Sequence, residues 1–176
     1  MNRLITGTII TIIIGGAAYT VNQTDLVNFF AEDTGLTQQQ AEQYINTISD
    51  DELVSFDELG IDYVNNGQKL LNDVSRIDCM YYEYEWESAS LTCSKGKTQL
   101  SKIGEDYIAL GQAYKKLGSD SASKDDISKT IKLIDTLNND FSYSIVMSIF
   151  TPSEIDEIKK TNSFNKAILK AAIEGD

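Results

Sequence analysis

Residues 53–77 read LVSFDELGIDYVNNGQKLLNDVSRI, and this stretch decides the fold. Apolar, aromatic or glycine residues recur in it at alternating intervals of three and four, which places them on one face of a helix. A second run has this spacing between Leu100 and Leu117. Two such faces along one chain predict two long helices packed as an antiparallel hairpin. The positions are Leu53, Phe56, Gly60, Tyr63, Gly67, Leu70, Val74 and Ile77, then Leu100, Ile103, Tyr107, Leu110, Tyr114 and Leu117.

The two cysteines of the chain, Cys79 and Cys93, lie between these two runs. In an oxidising compartment we expect them to form a disulfide that closes the tip of the hairpin. On the chain-entropy model, a loop of this size stabilises the fold by roughly 3 kcal/mol. The disulfide is therefore predicted to be structural.

Four glycines accompany the two helical faces at seven-residue intervals. Gly60 and Gly67 lie within the first face, and Gly104 and Gly111 lie beside the second. Glycine in a helix interior costs about 1 kcal/mol relative to alanine, so their presence predicts close approach of two backbones. The alternative is that they open a groove for a ligand between the helices.

Helix-start signals define the other elements. Capping boxes are predicted at Thr37 with Gln40, at Ser49 with Glu52 and at Ser123 with Asp126. Residues 151–154, Thr-Pro-Ser-Glu, combine a threonine cap with proline at the first helical position. With a single proline in the chain, these signals predict an all-α fold, a bundle of about four to five helices forming one extracytoplasmic domain over residues 37–176.

The N-terminal segment, residues 1–21, has the composition of an export signal. Arg3 is its one charge, and an apolar and threonine-rich run extends from Leu4 to Val21. Small residues precede Tyr19, so cleavage after Ala18 would release a secreted protein. The run is also long enough for a transmembrane helix, which needs roughly 17 to 25 residues. Both interpretations, signal peptide and signal anchor, place the rest of the chain outside the cytoplasm.

A retained helix would have a face of small residues. Gly7, Thr11 and Gly15 lie four residues apart, a spacing that lets another transmembrane helix approach closely. Residues 22–36 are then expected to form a juxtamembrane stalk. In this arrangement the protein is single-pass, with its N-terminus in the cytoplasm.

The net charge of −12 belongs to the first half of the chain. Residues 22–94 contain 15 acids and 2 bases, whereas residues 95–176 contain 12 of each. Such a surface repels phosphate backbones, which argues against nucleic-acid binding. It is typical either of a solvated surface or of a docking site for a basic partner.

Aromatic residues are concentrated between the cysteines, next to carboxylates. Tyrosine and tryptophan anchor many protein interfaces, so this tip is a candidate partner contact. The alternative is that its rings cap the open end of the bundle. The residues are Tyr81, Tyr82, Glu83, Tyr84, Glu85 and Trp86.

The sequence offers no catalytic motif. It has no histidine, and its paired acids are typical of helix starts and solvated faces. We therefore expect no enzyme activity, no metal site and no cofactor. The leading hypothesis is a membrane-anchored accessory or scaffold protein that contacts a membrane-protein partner. The alternative is a secreted helical bundle that binds a small apolar ligand between its helices.

Overall fold

A computed structural model of the protein describes residues 9–14, 16–47, 55–79, 87–142 and 150–174. The predicted helical bundle is confirmed, although the described residues form six helices and a two-stranded sheet rather than four to five helices. One hydrophobic core joins the hairpin of strands to the helices. The elements are β1 (Ile9–Ile14), β2 (Ala17–Asn22), α1 (Gln23–Thr34), α2 (Gln38–Thr47), α3 (Phe56–Ser75), α4 (Glu87–Gly118), α5 (Lys124–Asp140) and α6 (Pro152–Glu174).

The disulfide between Cys79 and Cys93 is formed, with the two Cα atoms 5.7 Å apart. Cys79 follows the end of α3, and Cys93 lies inside α4, which already begins at Glu87. The disulfide therefore links the segment just after one long helix to the first turns of the next. The part of the tip that the structure leaves undescribed is residues 80–86.

The glycines serve close packing of α3 against α4, as the sequence predicts. A Cβ placed on Gly60 would lie 2.6 Å from the carbonyl oxygen of Gly111, and one on Gly67 would lie 2.5 Å from that of Gly104. The earlier glycine of α3 faces the later glycine of α4 and the reverse holds for the other pair, which confirms the antiparallel hairpin. The alternative interpretation, a ligand space between the glycines, is wrong because backbone atoms fill that space.

The capping boxes that can be compared with the structure form as predicted. The side chains of Thr37 and Gln40 bond each other's backbone amides, as do those of Thr151 and Glu154. The box of Ser123 and Asp126 is also present. The start of α3 differs, because Ser55 is its N-cap. The box predicted at Ser49 lies outside the described residues.

Helix α6 connects the remaining elements through buried polar groups as well as apolar ones. Its Asn162 accepts a hydrogen bond from the Tyr63 hydroxyl of α3 and donates one to Asn138 of α5, with a donor–acceptor distance of 2.7 Å in the second bond. Its Lys166, only 8% exposed, forms ion pairs with Asp33 of α1 and Asp135 of α5. Buried polar groups cost free energy unless they are paired, so this set of partners restricts how the helices pack.

The structure does not confirm the predicted N-terminal helix. In the described part of that segment, β1 and β2 form an antiparallel hairpin in which Ile14 pairs with Ala17. Residues 9–14 are all β-branched, which favours a strand, and Gly16 adopts the positive φ of 72° that the tight turn requires. Ile14 and Val21 are buried in the core, so tertiary packing selects the strands. Among the described residues, no helix is both long and apolar enough to cross a membrane.

The predicted stalk over residues 22–36 also differs from the structure. Asn22 caps α1, whose Leu26 and Phe30 are completely buried, and α1 packs against α6. The rings of Phe30 and Tyr44 stack with their centroids 5.0 Å apart. The segment is therefore part of the bundle rather than an extended connection.

Substitution of Gly60 by alanine tests the close packing of α3 and α4. At an exposed position in a helix, replacing glycine by alanine stabilises the helix by about 1 kcal/mol. Here the added Cβ would meet the backbone of Gly111 and Lys115, so we expect the free energy of unfolding to fall by about 1–3 kcal/mol in urea titrations. An increase in stability would show that the helices do not approach as closely as described.

Candidate functional site

A groove of about 660 Å³ lies between α3, α4 and α6. Its apolar lining comes from one face of α3 and the chain just after it, from α4, and from the beginning of the α6 region. Val74 and Leu100 at its base are nearly completely buried. The apolar lining residues are Leu70, Val74, Ile77, Leu100, Tyr107, Phe150 and Ile158.

Aromatic contacts hold one wall of the groove in place. Tyr107 packs against Tyr63, with 5.4 Å between ring centroids, and meets the edge of Phe141 at 6.0 Å. Phe141 in turn contacts Phe150 at 5.7 Å. Burial raises the pKa of the Tyr107 hydroxyl to about 12, so this phenol stays neutral at physiological pH. The wall is therefore uncharged and rigidly supported.

The rim on the α3 side is polar. Asn66, Lys69 and Asp73 border the groove there, and Lys69 has no carboxylate partner among the described residues. At the end near the disulfide, the Lys97 ammonium donates a hydrogen bond of 2.8 Å to the carbonyl of Ile77. An apolar floor with polar groups along one edge is the usual composition of a ligand site.

A charge cluster joins α4 to α5 next to this wall. Lys102 forms ion pairs with Asp106, at 3.3 Å, and with Asp140. Burial and the neighbouring Asp140 carboxylate raise the pKa of Asp106 to about 6, although Lys102 acts in the opposite direction. Two carboxylates therefore share one lysine, and one of them binds a proton near pH 6.

The candidate residues from the sequence are only partly brought together. Cys79 and Cys93 form the disulfide. The aromatic and acidic tip residues, Tyr81, Tyr82, Glu83, Tyr84, Glu85 and Trp86, lie outside the described residues, as do Gly7 and Gly15. Thr11 lies in β1 opposite Thr20, not on a helix. Contact with a membrane-protein partner therefore stays a prediction.

Helical spacing identifies half of the lining residues as apolar face positions, but it does not predict the groove. Leu70, Val74, Ile77, Leu100 and Tyr107 were assigned to the packed helical faces, and the structure places them beside the glycine contacts. Phe150 and Ile158 complete the groove from more than forty residues further along the chain. Only the packing of α6 could bring them there, although the apolar stretch that ends at Phe150 was visible.

The described residues contain no group of three or more histidine, cysteine or acidic side chains arranged to hold a metal ion. No protein-family model, curated protein or solved structure matches the chain.

Substitution of Asp106 by asparagine tests the charge cluster. Because its pKa is raised in the folded protein, Asp106 loses its proton at lower pH in the unfolded chain than in the folded one. The free energy of unfolding therefore falls as pH rises from about 4 to 6. We expect Asp106→Asn to gain stability relative to the parent at pH 7.5, and this gain to be much smaller at pH 4.5, measured by urea unfolding. A difference between the two proteins that does not change with pH would contradict the raised pKa.

Proposed function

We propose that this protein is an extracytoplasmic helical domain that binds a small apolar molecule in the groove between α3, α4 and α6. The observation that carries the proposal is the volume and lining of the groove. Its 660 Å³ falls within the range of ligand pockets, roughly 300–1,000 Å³, and most of its lining is aliphatic or aromatic.

The arrangement of polar groups supports one orientation for the ligand. The apolar body would lie over Val74 and Leu100, and a polar group would face the rim of α3. Lys69 supplies an ammonium group there that forms no ion pair with a described carboxylate. An apolar molecule with one polar or anionic end is therefore the preferred ligand.

The disulfide supports the proposed location, since such bonds persist in oxidising compartments. The single charge and apolar composition of residues 1–21 support export of the chain. Anchoring by a single membrane-spanning helix is a finer proposal, and its support is limited to the sequence.

A matched pair of substitutions tests ligand binding. Ile77 lies at the mouth of the groove and is 36% exposed, whereas Ile61, 47% exposed, lies on the opposite side of α3. Fluorescence titration with the neutral apolar probe N-phenyl-1-naphthylamine should show saturable binding to the full chain. We expect Ile77→Trp to weaken binding by about tenfold because the indole fills the groove, a loss of about 1.4 kcal/mol.

The variant Ile61→Trp is the control, because it makes the same change at an exposed position outside the groove. It should bind the probe as the parent does. Absence of saturable binding to the parent, or equal binding by both variants, would rule out the groove as the site.

A further inference from the structure

A second cavity, of about 450 Å³, lies between the C-terminal ends of α1 and α5 and the first half of α6. It faces a different side of α6 from the groove, because Lys159 and Ser163 line the cavity whereas Ile158 lines the groove. Its lining is mainly polar and includes charges of both signs. The cavity is therefore chemically unlike the apolar site.

One end of the cavity has an excess of negative charge. Asp33 and Asp135 both pair with Lys166, each through its Oδ1 atom, and the Nζ–Oδ1 distance to Asp135 is 2.5 Å. Two carboxylates and one ammonium carry a net charge of one negative unit. The Oδ2 atom of each aspartate makes no ion pair with Lys166. The C-terminal ends of α1 and α5 add the negative poles of their helix dipoles.

The other end has an unneutralised positive charge. The Lys159 ammonium donates a hydrogen bond of 2.9 Å to the Ser142 hydroxyl and has no carboxylate partner among the described residues. The neighbouring Lys160 is different, because it is paired with Asp156 at 2.7 Å. Lys159 is thus the cation that remains available to an anionic group.

A serine hydroxyl is also available in this cavity. Ser163 lines the cavity, is only 4% exposed, and makes no hydrogen bond to the rest of the described chain. Its oxygen is not one of the enclosed, unpaired polar atoms of the described chain, so the hydroxyl is accessible from the cavity and available to a molecule bound there.

We infer that the cavity binds a small zwitterion of the free amino-acid type. Its ammonium group contacts the Oδ2 atoms of Asp33 and Asp135, because Lys166 already occupies the position between their Oδ1 atoms, and its carboxylate faces Lys159. Ser163 donates or accepts one further hydrogen bond. This site is independent of the apolar groove, and either one can fail without the other.

Thermal unfolding of the full chain tests the inference. Each of the twenty amino acids is added singly, with acetate and methylammonium as probes that carry only one of the two charges. We expect at least one amino acid to raise Tm by about 3 °C or more when present at ten times its Kd. Acetate and methylammonium should each produce less than half of that shift.

Two variants identify the groups that bind. Lys159→Met removes the cation, and Asp135→Asn removes one carboxylate while Asp33 still pairs with Lys166. Both should weaken the amino-acid affinity at least tenfold. Lys129→Met is the control, since Lys129 lies elsewhere on α5 and pairs with Asp125; it should keep the full shift.

Three results would overturn the inference. The first is that no amino acid raises Tm. The second is that acetate or methylammonium alone shifts Tm as much as any amino acid does. The third is that Lys159→Met and Asp135→Asn both retain the shift of the parent.

Discussion

The contact between α3 and α4 at their glycine positions is the constraint on which the rest of the structure depends. Gly60 and Gly67 meet the backbone of α4 at distances that leave no room for a Cβ. Two helices this close have one axial alignment in which the glycines face each other. That alignment also brings Cys79 to Cys93, so the disulfide and the glycines specify the same register.

The apolar groove follows from the same contact. Leu70 and Val74 of α3 and Leu100 and Tyr107 of α4 line the groove beside the glycine contacts. Ile158 of α6 and the preceding Phe150 close one side of it. A site built in this way rests on two rigid helices, which favours a preformed shape.

A recurring electrostatic arrangement joins α5 to its neighbours. In each of two places two carboxylates share one lysine: Asp106 and Asp140 with Lys102, and Asp33 and Asp135 with Lys166. The consequences differ because the burial differs. Lys166 is buried between its partners, and these raise its pKa against desolvation. In the other cluster the lysine is more exposed, and the pKa of Asp106 rises.

The sequence was most informative where the physics is local. The capping boxes at Thr37, Ser123 and Thr151 form because both partners lie within four residues of each other. The packed faces of α3 and α4 could be predicted from helical spacing, and the disulfide from the two cysteines that separate them. These features need no knowledge of the rest of the chain.

Features that depend on distant segments could not be predicted in this way. The isoleucine-rich N-terminal segment is compatible with a membrane helix or a strand, and burial of Ile14 and Val21 against the bundle selects the strand. In the sequence Phe30 falls within the predicted stalk, whereas in the structure it is buried beside α6. Both cavities likewise need α6 beside helices that are remote in sequence. By itself, then, the sequence determined the two long helices, three of the helix caps and the disulfide-closed hairpin, because nearby residues specify them. Only the tertiary structure decided the N-terminal hairpin and the two cavities. The hairpin depends on burial of its side chains in the core, and the cavities depend on where α6 packs against the other helices.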